Sequence, residues 1–100
     1  MLSDQQVRLI YLFVNDDQPL RAGFSVGRKK FKKAVHRNRI KRLMREAWRL
    51  ENTGLKDQLL KSGQSLEVFL IYTGDFLPDY RAINLSVKNL LARVEAKVKK

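Results

Sequence analysis

Apolar residues recur in two rhythms along this chain, and the change of rhythm divides it into elements. Residues 7–16, VRLIYLFVND, place Val7, Leu9, Tyr11 and Phe13 on one side of an extended chain. Ile10, Leu12 and Val14 fall on the other. The segment is rich in β-branched and aromatic residues and predicts a strand. Both sides are apolar, which places it inside a sheet rather than at an edge. NDDQP, residues 15–19, is turn chemistry. RAGFSVGR, residues 21–28, alternates Ala22, Phe24 and Val26 with Gly23, Ser25 and Gly27, a strand with one packed side and one flat side. The short link between the two strands predicts an antiparallel hairpin.

In AVHRNRIKRLMREAWR, residues 34–49, the period changes to 3.6. Ile40, Leu43, Met44, Ala47 and Trp48 form one stripe, with Asn38, Lys41, Arg42, Arg45 and Arg49 opposite. At 1.5 Å per residue the polar face from 38 to 49 is about 16 Å long. Arg42 and Glu46 are spaced as an i,i+4 pair. LKDQLLKSG, residues 55–63, predicts a short helix closed by Gly63. LEVFLIYT, residues 66–73, is a third strand, again apolar on both sides. After the loop GDFLPD, a last helix starts near Asp79, a suitable N-cap. It carries Ile83, Val87, Leu90, Leu91, Val94 and Val98, and KVKK sets positive charge at its negative pole. The order is β-β-α-(α)-β-α, an α+β two-layer sandwich with the helices on one face of a small sheet. Residues 1–100 form a single domain, with no repeats, low-complexity tracts or linkers.

Charge changes the picture. The net charge is +11. Residues 28–49 hold Arg28, Lys29, Lys30, Lys32, Lys33, Arg37, Arg39, Lys41, Arg42, Arg45 and Arg49 against Glu46 alone, a local +10. The rest of the chain is nearly neutral. Repulsion within such a cluster disfavours the compact state unless a polyanion is present. Nucleic acid is the commonest polyanion in a cytosol, and anionic lipid is the competitor. The membrane reading would need the apolar stripe free, but Ile40, Leu43 and Trp48 are needed for the core. Arg predominates over Lys on the helix, and its planar guanidinium suits bidentate phosphate contacts and base stacking. A helix-turn-helix DNA binder would need a helix just before the basic one, where a strand is expected.

Other chemistry is sparse. There is no Cys, which excludes disulfides and thiolate-bound metals. No apolar run approaches the roughly 18 residues that span a bilayer. MLSDQQVRL does not have the pattern of a signal peptide, so a cytoplasmic location is the default expectation. The acids Asp16, Asp17, Glu46, Glu51, Asp57, Glu67, Asp75 and Asp79 show no metal-binding or acid–base spacing. His36 is the only His, near the start of the basic helix, and a packed or backbone-bonded ring is the plainer expectation. GFSVG is no phosphate cradle; strand glycines mark a bulge or a close approach. No catalytic side chain and no protein-held metal are expected.

RNRIKRLMRE, residues 37–46, with KKAV just before it and the strand GFSV before that, resembles the protein subunit of bacterial ribonuclease P. Arg37, Asn38, Arg39, Lys41, Arg42, Arg45 and Glu46 match the family's motif in type and spacing, and the succession of elements from residue 7 onward matches too. The resemblance implies that a large RNA subunit cuts the 5′ leader from precursor tRNA with Mg²⁺ held mainly by that RNA. It implies that Arg37, Asn38, Arg39, Lys41, Arg42 and Arg45 grip the catalytic RNA, some reaching the leader. The exposed face of strands 7–14 and 21–28 would floor a leader cleft, with Tyr11 and Phe13 as stacking candidates. The fold would be like domain 2 of ribosomal protein S5, with a left-handed β-α-β crossover from strand 21–28 to strand 66–73. General sterics favour the right-handed form in about 98% of parallel units, so the two warrants conflict, and the long motif decides for the left hand. Two departures stand out. The chain starts a few residues before its first strand, so the helix that usually opens the family is expected to be missing. GRKKFKK also reads as an insertion where the family has a tighter basic turn. A ribosomal or other structural RNA-binding protein of similar fold is the alternative.

Overall fold

A computed structural model describes residues 1–98. The elements are β1 (Leu2–Asp4), β2 (Val7–Val14), β3 (Leu20–Val26), α1 (Ala34–Glu51), α2 (Thr53–Ser62), β4 (Ser65–Tyr72) and α3 (Tyr80–Glu95). They form one mixed four-stranded sheet in the order β1-β2-β4-β3 with three helices, an α+β fold.

The expected hairpin of β2 with β3 does not form. β4 lies between them, antiparallel to β2 from Val7↔Tyr72 to Val14↔Ser65 and parallel to β3 from Leu20↔Leu66 to Val26↔Tyr72. The reason is in the side chains. β4 buries Leu66, Val68, Leu70 and Tyr72, and a strand that apolar gains most from a neighbour on each side. β3, with Gly23 and Ser25, takes the edge. The 15–19 link therefore has to cross about 10 Å, two strand spacings. The start of β4 supports it: the Leu66 amide donates to the Pro19 carbonyl at 3.0 Å, and Ser65 Oγ donates to the Asp16 carbonyl at 2.9 Å. β3 and β4 are thus parallel neighbours joined through α1, the β-α-β unit to which the crossover expectation applies.

β1 was not anticipated. It pairs with β2 through Leu2↔Leu9 and Asp4↔Val7, and the turn places Gln5 at φ 54°. A left-handed glutamine is uncommon, and DQQ carries none of the Asn-Gly or Asp-Gly signal of a tight hairpin. α3 holds β1 from the side: Arg93 Nη1 donates to the Ser3 carbonyl at 2.8 Å.

The helices cover one face of the sheet. Val7 and Leu9 of β2 join the inward row of β4, Val26, and the α1 stripe Ile40, Met44, Ala47 and Trp48. Leu55 and Leu59 of α2 and Ile83, Val87, Leu90, Leu91 and Val94 of α3 complete the core. Gly63 ends α2 at φ 68°, as its position predicted. Asp79 caps α3, its carboxylate accepting from the Ala82 amide at 2.8 Å. α3 ends at Glu95, with Arg93 in its last turn; Lys99 and Lys100 of the expected KVKK terminus lie outside the described residues. Among the described residues no helix covers the other sheet face, so Ile10, Leu12 and Phe69 stay exposed. Apolar residues on both sides of β2 correctly implied two strand neighbours. They did not imply cover on both faces.

Candidate nucleic-acid interface

α1 presents its cations in two classes. Arg37 Nη1 donates to the carbonyls of Phe31 at 2.7 Å and Lys32 at 2.9 Å, clasping the loop ahead of the helix. Phe31 anchors that loop: it is buried and packs on Tyr72 with ring centroids 6.1 Å apart. The insertion-like GRKKFKK is therefore tied to the core through the one apolar residue in it. Arg45 lies over the Phe24 ring, 5.5 Å from its centroid, and Phe24 meets Trp48 edge-on. Arg49 pairs with Glu46, in place of the expected Arg42–Glu46 pair. That bond holds the Glu46 carboxyl below the usual carboxylate range and raises the Arg49 guanidinium further. Lys30 reaches Asp75 and the Thr73 carbonyl, both at 2.8 Å. Arg42 loses Glu46 because Arg49, one turn on, takes both carboxylate oxygens.

The second class has no protein partner among the described residues. Asn38, Arg39 and Arg42 are exposed and Lys41 half-buried along α1, and Arg28, Lys29, Lys32 and Lys33 are exposed ahead of it. The first turn adds to the field. Lys33 occupies the N-cap without a side-chain cap, and no acid stands in the first turn. An uncapped first turn and the positive helix pole thus coincide with exposed cations, an arrangement that attracts phosphate. His36 is half-buried in the same turn.

The basic loop also meets the open sheet face. Arg28, Lys29 and Lys30 line a shallow depression with Arg8, Ile71, Tyr72 and Thr73. Burial pushes the Tyr72 phenol up, and its hydroxyl donates to the Phe76 carbonyl at 2.8 Å. Tyr11 and Phe13, the expected stacking pair of the open face, are elsewhere. Both share the strand parity of Val7 and Leu9 and point to the helix side. Tyr11 packs against the core, and Phe13, at the strand's end, contacts it edge-on at 6.1 Å. The aromatic that does stand on the open face is Phe69, directly across β4 from Ile10 and Gly23. Strand parity could have found it, had β4 been placed beside β3. Among the described residues no three His, Cys, Asp or Glu side chains gather as a metal site. The carboxylates among the described residues form no set that fits a resident Mg²⁺. No helix among them is long and apolar enough to cross a membrane.

The family model described as Ribonuclease P matches residues 2–95. The chain belongs to that family. Similar proteins include the ribonuclease P protein component of Porphyromonas gingivalis, 38% identical over 74 residues, covering 74% of this chain and 54% of that protein. That of Clostridioides difficile is 34% identical over 90 residues, covering 90% and 74%. That of Clostridium kluyveri is 39% identical over 85 residues, covering 85% and 71%. The chain thus spans about half the length of the Porphyromonas relative and over two thirds of the two clostridial ones. Within this ribonuclease P family setting, the motif 37–46 lies on the solvent side of α1 except where Ile40, Leu43 and Met44 turn to the core.

Proposed function

We propose that the chain is the protein component of a ribonuclease P. It binds the catalytic RNA with α1 and holds the 5′ leader of precursor tRNA on the open sheet face. One observation carries the reading: unpartnered cations run from the basic loop onto α1, and the loop turns onto an uncovered sheet face beside Arg8 and Ile71. One polyanion can therefore meet the helix while a single strand crosses the sheet.

In this reading Asn38, Arg39, Lys41 and Arg42, with Lys32 and Lys33, meet phosphates of the catalytic RNA. Arg37 and Arg45 act partly by holding the loop and the helix in position. Arg28 and Lys29 lead toward the leader. The chain supplies no nucleophile, acid or base; hydrolysis of the phosphodiester belongs to the RNA, which also holds the Mg²⁺. The protein's cations lower the repulsion between two folded RNAs, so less Mg²⁺ is needed to bring them together. The site of action is the cytoplasm. The test is reconstitution with a bacterial ribonuclease P RNA, reading 5′ processing of a precursor tRNA at low Mg²⁺. Processing should rise on adding the chain, while rigorously RNA-free protein should cut nothing. No gain at any Mg²⁺ concentration would sink the proposal.

A further inference from the structure

We propose that Asp75, an acid beside the most basic surface of the molecule, is a positioning residue for RNA binding. Its pairing with Lys30 docks the loop 27–33 on the β4–α3 loop and holds Arg28 and Lys29 beside Arg8. This rests on the reading that the cations of the loop meet RNA.

An acid at this place needs a reason. Asp75 stands on the loop that joins β4 to α3, and its side chain is 80% exposed. Alone it would repel every phosphate that Arg8, Arg28 and Lys29 attract. It is not alone: Lys30 Nζ pairs with Asp75 Oδ1 and donates to the Thr73 carbonyl, both at 2.8 Å. The pair is neutral, so it adds no net charge to the field. What it contributes is position. The acceptor side is already fixed. The Thr73 amide donates to the Gln6 carbonyl at 2.7 Å, and the Tyr72 hydroxyl donates to the Phe76 carbonyl at 2.8 Å. Gly74 leaves room for that hydroxyl, since a Cβ there would collide with it. Holding Asp75 therefore costs little further entropy, the term that usually cancels an exposed ion pair. The loop itself is gripped on both sides of the buried Phe31 ring. Arg37 takes the carbonyls of Phe31 and Lys32, which keeps Lys32 and Lys33 next to α1. Lys30 fixes the other half. Arg28 and Lys29 precede it and line, with Arg8 and Ile71, the depression beside the open face. Among the described residues no other ion pair holds a cation of this loop. Lys30 is thus a strut rather than a phosphate ligand, and two clamps divide the cations of the loop between α1 and the sheet.

The experiment measures the affinity of the reconstituted holoenzyme for a precursor tRNA and for the mature tRNA. Asp75→Asn keeps the shape, removes the charge and makes the chain more positive by one. Charge alone then predicts tighter binding. Positioning predicts the opposite: precursor binding weaker by about 2- to 5-fold, the range an exposed pair supports, and mature tRNA unchanged. Asp75→Glu should keep the unaltered affinity. Lys30→Gln should weaken precursor binding by the same factor, with no change in the slope of log affinity against log salt. The double variant should be no weaker than either single, because one contact is lost only once. Unchanged or tighter precursor binding by Asp75→Asn overturns the proposal. So does a slope flattened by roughly 0.7 to 1 in Lys30→Gln, which would make Lys30 a phosphate ligand. Equal affinity of the unaltered holoenzyme for precursor and mature tRNA would show itself before any variant is compared. It overturns the reading beneath the proposal, and the proposal with it.

Discussion

α1 and α3 lie on the same face of one sheet and are built to different rules. α3 begins at a carboxylate cap, and its polar side mixes Arg81, Asn84, Lys88, Asn89 and Arg93. α1 begins at Lys33 with no cap and no acid in its first turn. Its polar side is Asn38, Arg39, Lys41, Arg42, Arg45 and Arg49, relieved by Glu46. A cap contributes about 1 kcal/mol, and positive charge at the positive pole works against the helix. α1 therefore forgoes local stability that α3 takes. Its inner stripe has to compensate, and it does so with Ile40 and Met44 fully buried and Trp48 nearly so. The difference separates a capped helix with a mixed polar side from an uncapped one whose outer surface is almost wholly basic.

The largest effects should be common to both helices, because their inner faces do the same work. Trp48→Ala on α1 should cost roughly 3 to 5 kcal/mol, and Leu90→Ala on α3 roughly 2 to 5. Urea unfolding of the free chain measures both. A loss under about 1 kcal/mol for Trp48→Ala would mean that α1 is held by something other than its stripe.

The next effects should separate the two starts. Asp79→Ala removes the α3 cap and should cost about 1 kcal/mol. Lys33→Ala removes no cap and should leave unfolding almost unchanged. Arg37→Ala opens the clasp on the Phe31 and Lys32 carbonyls and should cost about 1 kcal/mol, the scale of one net hydrogen bond. Equal losses at Lys33 and Asp79 would erase the comparison.

Lys33→Asp sharpens it. An acid at this N-cap should accept from a first-turn amide that now has no side-chain cap and stabilise the isolated chain by about 0.5 to 1 kcal/mol. RNA affinity should fall, because a negative charge would stand where a phosphate is expected. A variant both more stable and unimpaired in RNA binding would show that the bare N-terminus of α1 has no part in the interface.

Periodicity carried much of this architecture. The α1 stripe, Gly63 and Asp79 are where the spacing placed them, since each depends on contacts within a few residues. Strand order was less legible. Both long strands are apolar on each side, and a five-residue link fits a hairpin as well as an arch over an intervening strand. That error hid the Gly23–Phe69 contact, which exists only when β4 is beside β3. Tyr11 and Phe13 were nominated for a face they do not occupy, because the pattern of β2, apolar on both sides, does not say which side the helices cover. The charge cluster was plain in composition. Which cations are free was not, because Arg37, Arg45 and Lys30 find partners only through the loop, β3 and Asp75.

The smallest stability effect belongs to the outer surface of α1, where the binding effect should be largest. Arg42 is exposed, and Glu46, its only acidic neighbour along the helix at i+4, is held by Arg49. Arg42→Ala should therefore change unfolding by less than about 0.5 kcal/mol. If the guanidinium neutralises one phosphate, the slope of log affinity against log salt should flatten by roughly 0.7 to 1. The same substitution at Arg81 of α3, also exposed, is the control: equal cost to folding, no change in slope. Titrating each variant with ribonuclease P RNA across a salt series reads the contrast directly. A slope altered at Arg81 and unaltered at Arg42 would move the RNA from α1 to α3 and invert the comparison, because the capped helix would then be the one that carries the partner.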